Sequence, residues 1–205
     1  MKHFKNFKTC VYCTAQTLAS LDEATLARDY AYLEKYVGID KVYLETYRDG
    51  TWVAIDHMKM IQNFFKEHGV EIAGGITTVT PPLKKDDAKR QRLFQTFCYS
   101  NETMRTYLKK IVTYTAELFD EIILDDFFFT SCTCDDCLRE RSNLSWAEFR
   151  SNKMIDVAEN LVLKPAKLAN PSVKVTIKYP NWRESYHETG YVPKIQPSMF
   201  DKIYT

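Results

Sequence analysis

Two carboxylates, Asp125 and Asp126, stand side by side where the apolar run of EIILDDFFF gives way, and a C-x-C-x-x-C cluster opens at Cys132, six residues after the second of them. The two kinds of group do different work. A carboxylate can give or take a proton at a scissile bond, or attack it as a nucleophile. Thiols packed as closely as Cys132, Cys134 and Cys137 suit a metal better than a disulfide framework, and a chain of 205 residues does not need staples. Tetrahedral zinc takes four sulfurs at about 2.3 Å, so a fourth thiol is required. Cys98 is the candidate, because it precedes the helical pattern SNETMRTYLKK and falls in the loop after the third expected strand, beside the loop that carries the other three. A zinc held by four sulfurs has no open position, so it would tie two loops together rather than activate water. The alternative is four reduced thiols without a metal. Cys10 and Cys13 lie at i, i+3 on an expected strand, which sends them to opposite faces; they read as core thiols, with a redox pair as the other possibility. His3, His57, His68 and His187 are not paired, which disfavours a His-ligated catalytic metal and with it a deacetylase or amidohydrolase.

The elements that must position these groups alternate along the chain. Apolar or β-rich runs recur near 8 (KTCVYCTA), 41 (KVYLETY), 70 (VEIAGGITTV), 121 (EIILDDFFF), 173 (VKVTIKYP) and 200 (FDKIYT). Most are continuously apolar, as expected of strands covered on both faces. Helical spacing fills the intervals: Ser20 to Val37 with a capping box of Ser20 and Glu23, Ile55 to His68, Asn101 to Phe119, and a helix opened by Ser145 and Glu148 that should kink or break before Pro165. Alternating strands and helices predict a parallel sheet. A doubly wound dinucleotide fold should carry a glycine-rich turn after the first strand, and CVYCTAQTLAS has no glycine. The expectation is an α/β fold of the (β/α)₈ TIM-barrel type with about six βα units, residues 1–205 forming one catalytic domain that stops before strands seven and eight of a longer barrel. Its open edges would then be covered by further chain or by a second copy, an oligomer.

Barrel chemistry sits at the C-terminal ends of the strands. The residues expected there are Glu45, Tyr47 and Arg48; Thr77 and Thr78; Asp125 and Asp126; and Lys178, Tyr179, Asn181 and Trp182. Acids, hydroxyls, cations and aromatics together form a set suited to sugars, with the carboxylates acting on a glycosidic bond and the remainder binding substrate. Because successive strand residues face opposite sides, only one of the two acids is expected to point at substrate.

Composition excludes several classes. Twenty-eight basic residues face twenty-seven acidic ones, a net charge of +1 without a long single-sign run, so neither nucleic acid nor an anionic membrane is indicated as partner. No apolar stretch approaches a membrane span, and MKHFKNFKTCVYC lacks the apolar core of a signal peptide. The chain reads as soluble, with its compartment left open between cytoplasm and a processed secreted or periplasmic form.

The arrangement RLFQTFCYSNETMRTYL, then an acid at the end of the fourth strand, then CTCDDC, resembles glycoside hydrolase family 42, the β-galactosidases, and related uncharacterised barrel hydrolases. The motif likeness runs over roughly residues 90 to 140. It implies a zinc held by Cys98, Cys132, Cys134 and Cys137, a carbohydrate substrate, and an acid/base at the end of strand four. That family carries Asn-Glu there, where this sequence has Asp125-Asp126, so Asp126 or Asp125 would serve as acid/base or as nucleophile. The family pattern places the partner acid on strand seven, past Thr205. A barrel that binds carbohydrate without cleaving it is the alternative.

Overall fold

The computed structural model describes residues 4–80 and 92–205; His3 falls outside them. Its centre is a sheet whose strands, in spatial order, are β1 (Cys10–Cys13), β2 (Lys41–Arg48), β4 (Glu71–Ile76), β5 (Glu121–Leu124), β6 (Lys174–Lys178) and β7 (Lys202–Tyr204), all paired in parallel. The two-residue β3 (Thr51–Trp52) folds back antiparallel on β2. Between strands run α1 (Ala15–Ser20), α2 (Glu23–Tyr36), α3 (Ile55–Glu67), α4 (Glu102–Leu118), α5 (Asp135–Arg141), α6 (Trp146–Val157), α7 (Lys164–Ala169) and α8 (Tyr186–Thr189).

The pleat separates two cores. Val42 and Leu44, Ile76, Ile122 and Leu124, and Val175 and Ile177 face the helices and join the main hydrophobic core. The alternate residues Tyr43, Ala73 and Ile123 form a second, smaller cluster on the other face, with Tyr12 packed against it. That second face is concave. A flat sheet would hold β2 and β7, four strand spacings apart, at about 19 Å. The hydroxyls of Tyr43 and Tyr204 nevertheless meet at 2.7 Å across it, and Lys41 on β2 and Lys202 on β7 both reach Glu121 on β5, each at 2.6 Å. The sheet is therefore curled into a half-barrel with its helices outside, the α/β architecture expected.

Local chemistry explains the helix boundaries. Where one helix from Ser20 was expected there are two: Ser20 ends α1, and Asp22 caps α2 by accepting from the Thr25 N–H at 2.7 Å. Asn101 caps α4, and Ser145 with Glu148 forms the reciprocal box that opens α6. The helix expected to kink or break before Pro165 changes its coil there without stopping. A π-helical turn over Ala158–Leu163 joins α6 to α7, and its wider coil carries the chain past a residue that has no N–H to give. α4 lies tightly on β4, since a Cβ on Gly74 would come within 2.7 Å of the Phe119 and Thr115 side chains.

Candidate active site and metal centre

The concave face ends at its C-terminal rim in a line of alternating charges. Glu45 is the last inward residue of β2 before a bulge: it pairs with Gly75, but Tyr47, two residues on, pairs with Ile76, only one further along. The extra residue leaves Thr46 and Tyr47 both on the helix side, where Thr46 bonds Thr115 of α4 at 2.6 Å and the buried Tyr47 packs among Trp52, Phe97 and Tyr107. Arg48 is thereby returned to the face that Glu45 occupies. Without the bulge the two would point apart.

Glu45 has no exposed surface, and its carboxylate is fully used. It accepts from the Tyr12 hydroxyl at 2.7 Å, the Ala15 N–H at the start of α1 at 2.7 Å, the Arg48 Nε at 2.8 Å, and the Thr77 hydroxyl. Burial and the charge of Glu45 push the Tyr12 phenol well above its ordinary value, so it stays a donor. The Tyr12 ring lies over β4 where only a glycine fits, since a Cβ on Gly75 would meet its hydroxyl at 2.7 Å. Arg48 passes the chain of contacts on. Its guanidinium donates to Thr77 at 2.9 Å and to Asp125 at 3.2 Å, and stands 5.7 Å from the centre of the Phe127 ring. Burial disfavours the charged guanidinium, but Glu45 overrides it and raises the group further.

Asp125 and Asp126 meet different surroundings. β5 stops at Leu124 and the chain turns, with the Phe128 N–H bonding the Asp125 carbonyl at 3.1 Å, so strand alternation no longer separates the two acids. Both reach Lys178, at 2.9 Å from Asp125 and 3.4 Å from Asp126. Asp125 is buried between Lys178 and Arg48. Burial alone would raise its carboxyl, but the hydrogen bond and charge of Lys178, joined by Arg48, hold it below the usual range. Asp126 is more open, and burial together with the Asp125 charge pushes it up against the pull of Lys178. The two adjacent acids are thus shifted in opposite directions.

The other expected residues divide. Asn181 is exposed and Trp182 half-buried, its ring edge-on to Phe129 at 5.2 Å. Tyr179 is buried, bonded to Gln196 and packed on Tyr186 and Tyr191. Tyr12 and Phe127 were missed. The signal for Tyr12 was available, because alternation from Cys10 places it on the inward face; Cys10 itself, expected in the core, is exposed at the start of β1.

Cys98, Cys132, Cys134 and Cys137 come together, their sulfurs all within 4.8 Å of one another. Three of the separations are 3.6, 3.7 and 3.8 Å. Four sulfurs at about 2.3 Å from a tetrahedral ion stand roughly 3.8 Å apart, so the donor set fits a metal of that kind in chemistry and in size. Cys134 caps α5 and Cys137 lies in its first turn, so one short helix carries two of the four sulfurs. Phe149 packs against the buried cysteines, and Met104 and Trp146 flank them. The loop of Cys132 is tethered on both sides: the Leu93 N–H donates to Ser131 Oγ at 2.7 Å, and Arg150 of α6 donates to the carbonyls of Ser131 at 3.2 Å and Glu188 at 2.7 Å.

A curled parallel sheet with acids and cations at its C-terminal rim has the layout of a barrel hydrolase. The family model described as "Probable glycosyl hydrolase, catalytic domain" matches residues 1–205, and the chain belongs to that family. An uncharacterized protein of Saccharolobus solfataricus is 33% identical over 224 residues, covering 98% of this chain and 37% of that protein. The crystal structure of an Anoxybacillus alpha-amylase superposes with a TM-score of 0.50 at 12% identity, over 96% of this chain and 51% of the amylase, a likeness of fold. The chain therefore spans 37% of the curated relative it matches. The family match carries no sugar or linkage, and it does not extend to family 42.

No helix among the described residues is long and apolar enough to cross a membrane.

Proposed function

We propose that this domain cleaves an O-glycosidic bond of a carbohydrate bound at the C-terminal rim of the half-barrel, with Asp126 as the acid/base. The observation that carries this reading is the split between the adjacent acids. Asp125 is held ionised by two cations, while Asp126 sits higher and, among the described residues, meets one cation, Lys178. Two carboxyls whose surroundings drive them apart are suited to different tasks. A general acid must hold a proton, and of the two acids Asp126 is the one whose surroundings raise it. Asp125 then acts as the fixed negative charge that orients Lys178 and Arg48. Both acids reach the same ammonium, so in this reading they act from one side of the sugar and a two-carboxylate mechanism takes its opposing group from another strand end. Arg48, Lys178, Asn181 and Trp182 contact substrate in this scheme, and Glu45 positions Arg48.

Zinc is the metal we assign to the four cysteines, in a structural role. Four thiolates would close its coordination, and Cys132 follows Asp126 by six residues, so the ion would stiffen the loop that leaves the acid.

Activity on a panel of aryl glycosides tests the proposal. Turnover of one or more members is expected, with Asp126→Asn reducing kcat by at least about a hundredfold, the scale of lost acid/base catalysis. Saccharide binding without turnover by the wild type would point instead to a binding barrel.

A further inference from the structure

Phe94 and Gln95 are successive non-glycine residues in the left-handed region, at φ 51° and 55°. An L residue adopts that backbone at a cost, and it persists where the surroundings hold it. Here the segment is stitched down on both sides. The Gln95 carbonyl accepts from the N–H and the hydroxyl of Thr80, each at 3.0 Å; the Phe97 N–H donates to Thr78 at 3.1 Å; and Leu93 is tied to Ser131. What this scaffold displays is an apolar ring: Phe94 remains 58% exposed. The ring stands at the rim of the candidate site. It meets Phe127 edge-on at 5.3 Å, Phe127 lies beneath Arg48, and Arg48 holds Asp125.

We propose that Phe94, backed by Phe127, is a stacking platform for a sugar unit beyond the one at the acids, making the site selective for oligosaccharides over monosaccharides. This rests on the glycosidase reading above. A pyranose has an apolar C–H face and a polar rim, so an aromatic ring facing solvent beside fixed cations and carboxylates matches both. Phe94 connects to Arg48 through Phe127, so it would take a neighbouring unit rather than the one undergoing reaction.

The test measures the affinity of wild type, Phe94→Ala and Phe94→Trp by calorimetry for mono- to hexasaccharides of the cello-, malto-, xylo- and galacto-series. The expected result is a wild type that prefers the longer members of one series. The ratio of hexasaccharide to monosaccharide affinity should fall about tenfold in Phe94→Ala and be retained in Phe94→Trp. Thermal melting run alongside separates packing from binding: a lower melting point with an unchanged affinity ratio overturns the platform. Wild-type turnover of aryl glycosides with the ratio unchanged in Phe94→Ala defeats the platform and leaves the glycosidase reading standing. A wild type that neither binds nor cleaves any saccharide defeats both.

Discussion

Asp125 and Asp126 are neighbours in the chain, yet the first is flanked by two cations and the second reaches one. If Asp126 is the acid, activity should fall as pH rises through its elevated pKa. Asp125→Asn removes the neighbouring charge that adds to the effect of burial in that elevation, so the alkaline limb of the kcat/KM profile should move to lower pH, measured against wild type across the same buffers. An unmoved limb would separate the two acids and remove the assignment. Asp125 also contributes to stability. Its carboxyl is depressed in the folded chain, so the contribution is present above the unfolded value and is lost as pH falls through the folded one. Melting curves of wild type and Asp125→Asn should therefore differ at neutral pH and converge in acid. Arg48→Lys should lower kcat/KM roughly tenfold or more, because an ammonium cannot span Glu45, Thr77 and Asp125 as the planar guanidinium does. The acids, Arg48 and Lys178 were legible in the sequence because each lies at the end of an apolar run. How many cations each acid meets was not, since that depends on side chains from β2 and β6 that meet only after the sheet curls.

The strands were legible as elements because burial on both faces leaves unbroken apolar runs. Their ends were less so. Ser20 and Glu23 have the spacing of a capping box, but Asp22 stands between them as a stronger cap placed one residue before α2, and it divides the segment into two helices. The bulge in β2 had no signal, because VYLETYR is apolar and polar in a mixture that suits either face. Contact between elements is tested at Gly74, where an added methyl meets α4 with no room to spare. Gly74→Ala should cost about 1–3 kcal/mol in urea unfolding through overpacking, and a loss under about 0.5 kcal/mol would show that α4 shifts freely.

At the scale of the whole molecule, the four cysteines join the loop after β4 to the loop after β5. Cys134→Ser should lower both melting temperature and activity, and chelation of the purified wild type should do the same, with elemental analysis reporting about one zinc per chain beforehand. A protein isolated free of metal whose melting is unaffected by chelator would show the thiols to be packing groups. This juxtaposition was readable in advance, since adjacent parallel strands bring their following loops together. The curl that allows Tyr43 to touch Tyr204 was readable only as a fold class. The bulge in β2 has a consequence for kinship. Comparisons place insertions in loops and treat a strand as a fixed reading frame, whereas here one additional residue sits inside a strand, between two members of the same site. A relative built without it would align faultlessly through Glu45 and then fall out of step, with its arginine standing opposite Tyr47. Shared ancestry would be visible on one side of the insertion, and the shared chemistry would be recovered only by opening a gap where gaps are least expected.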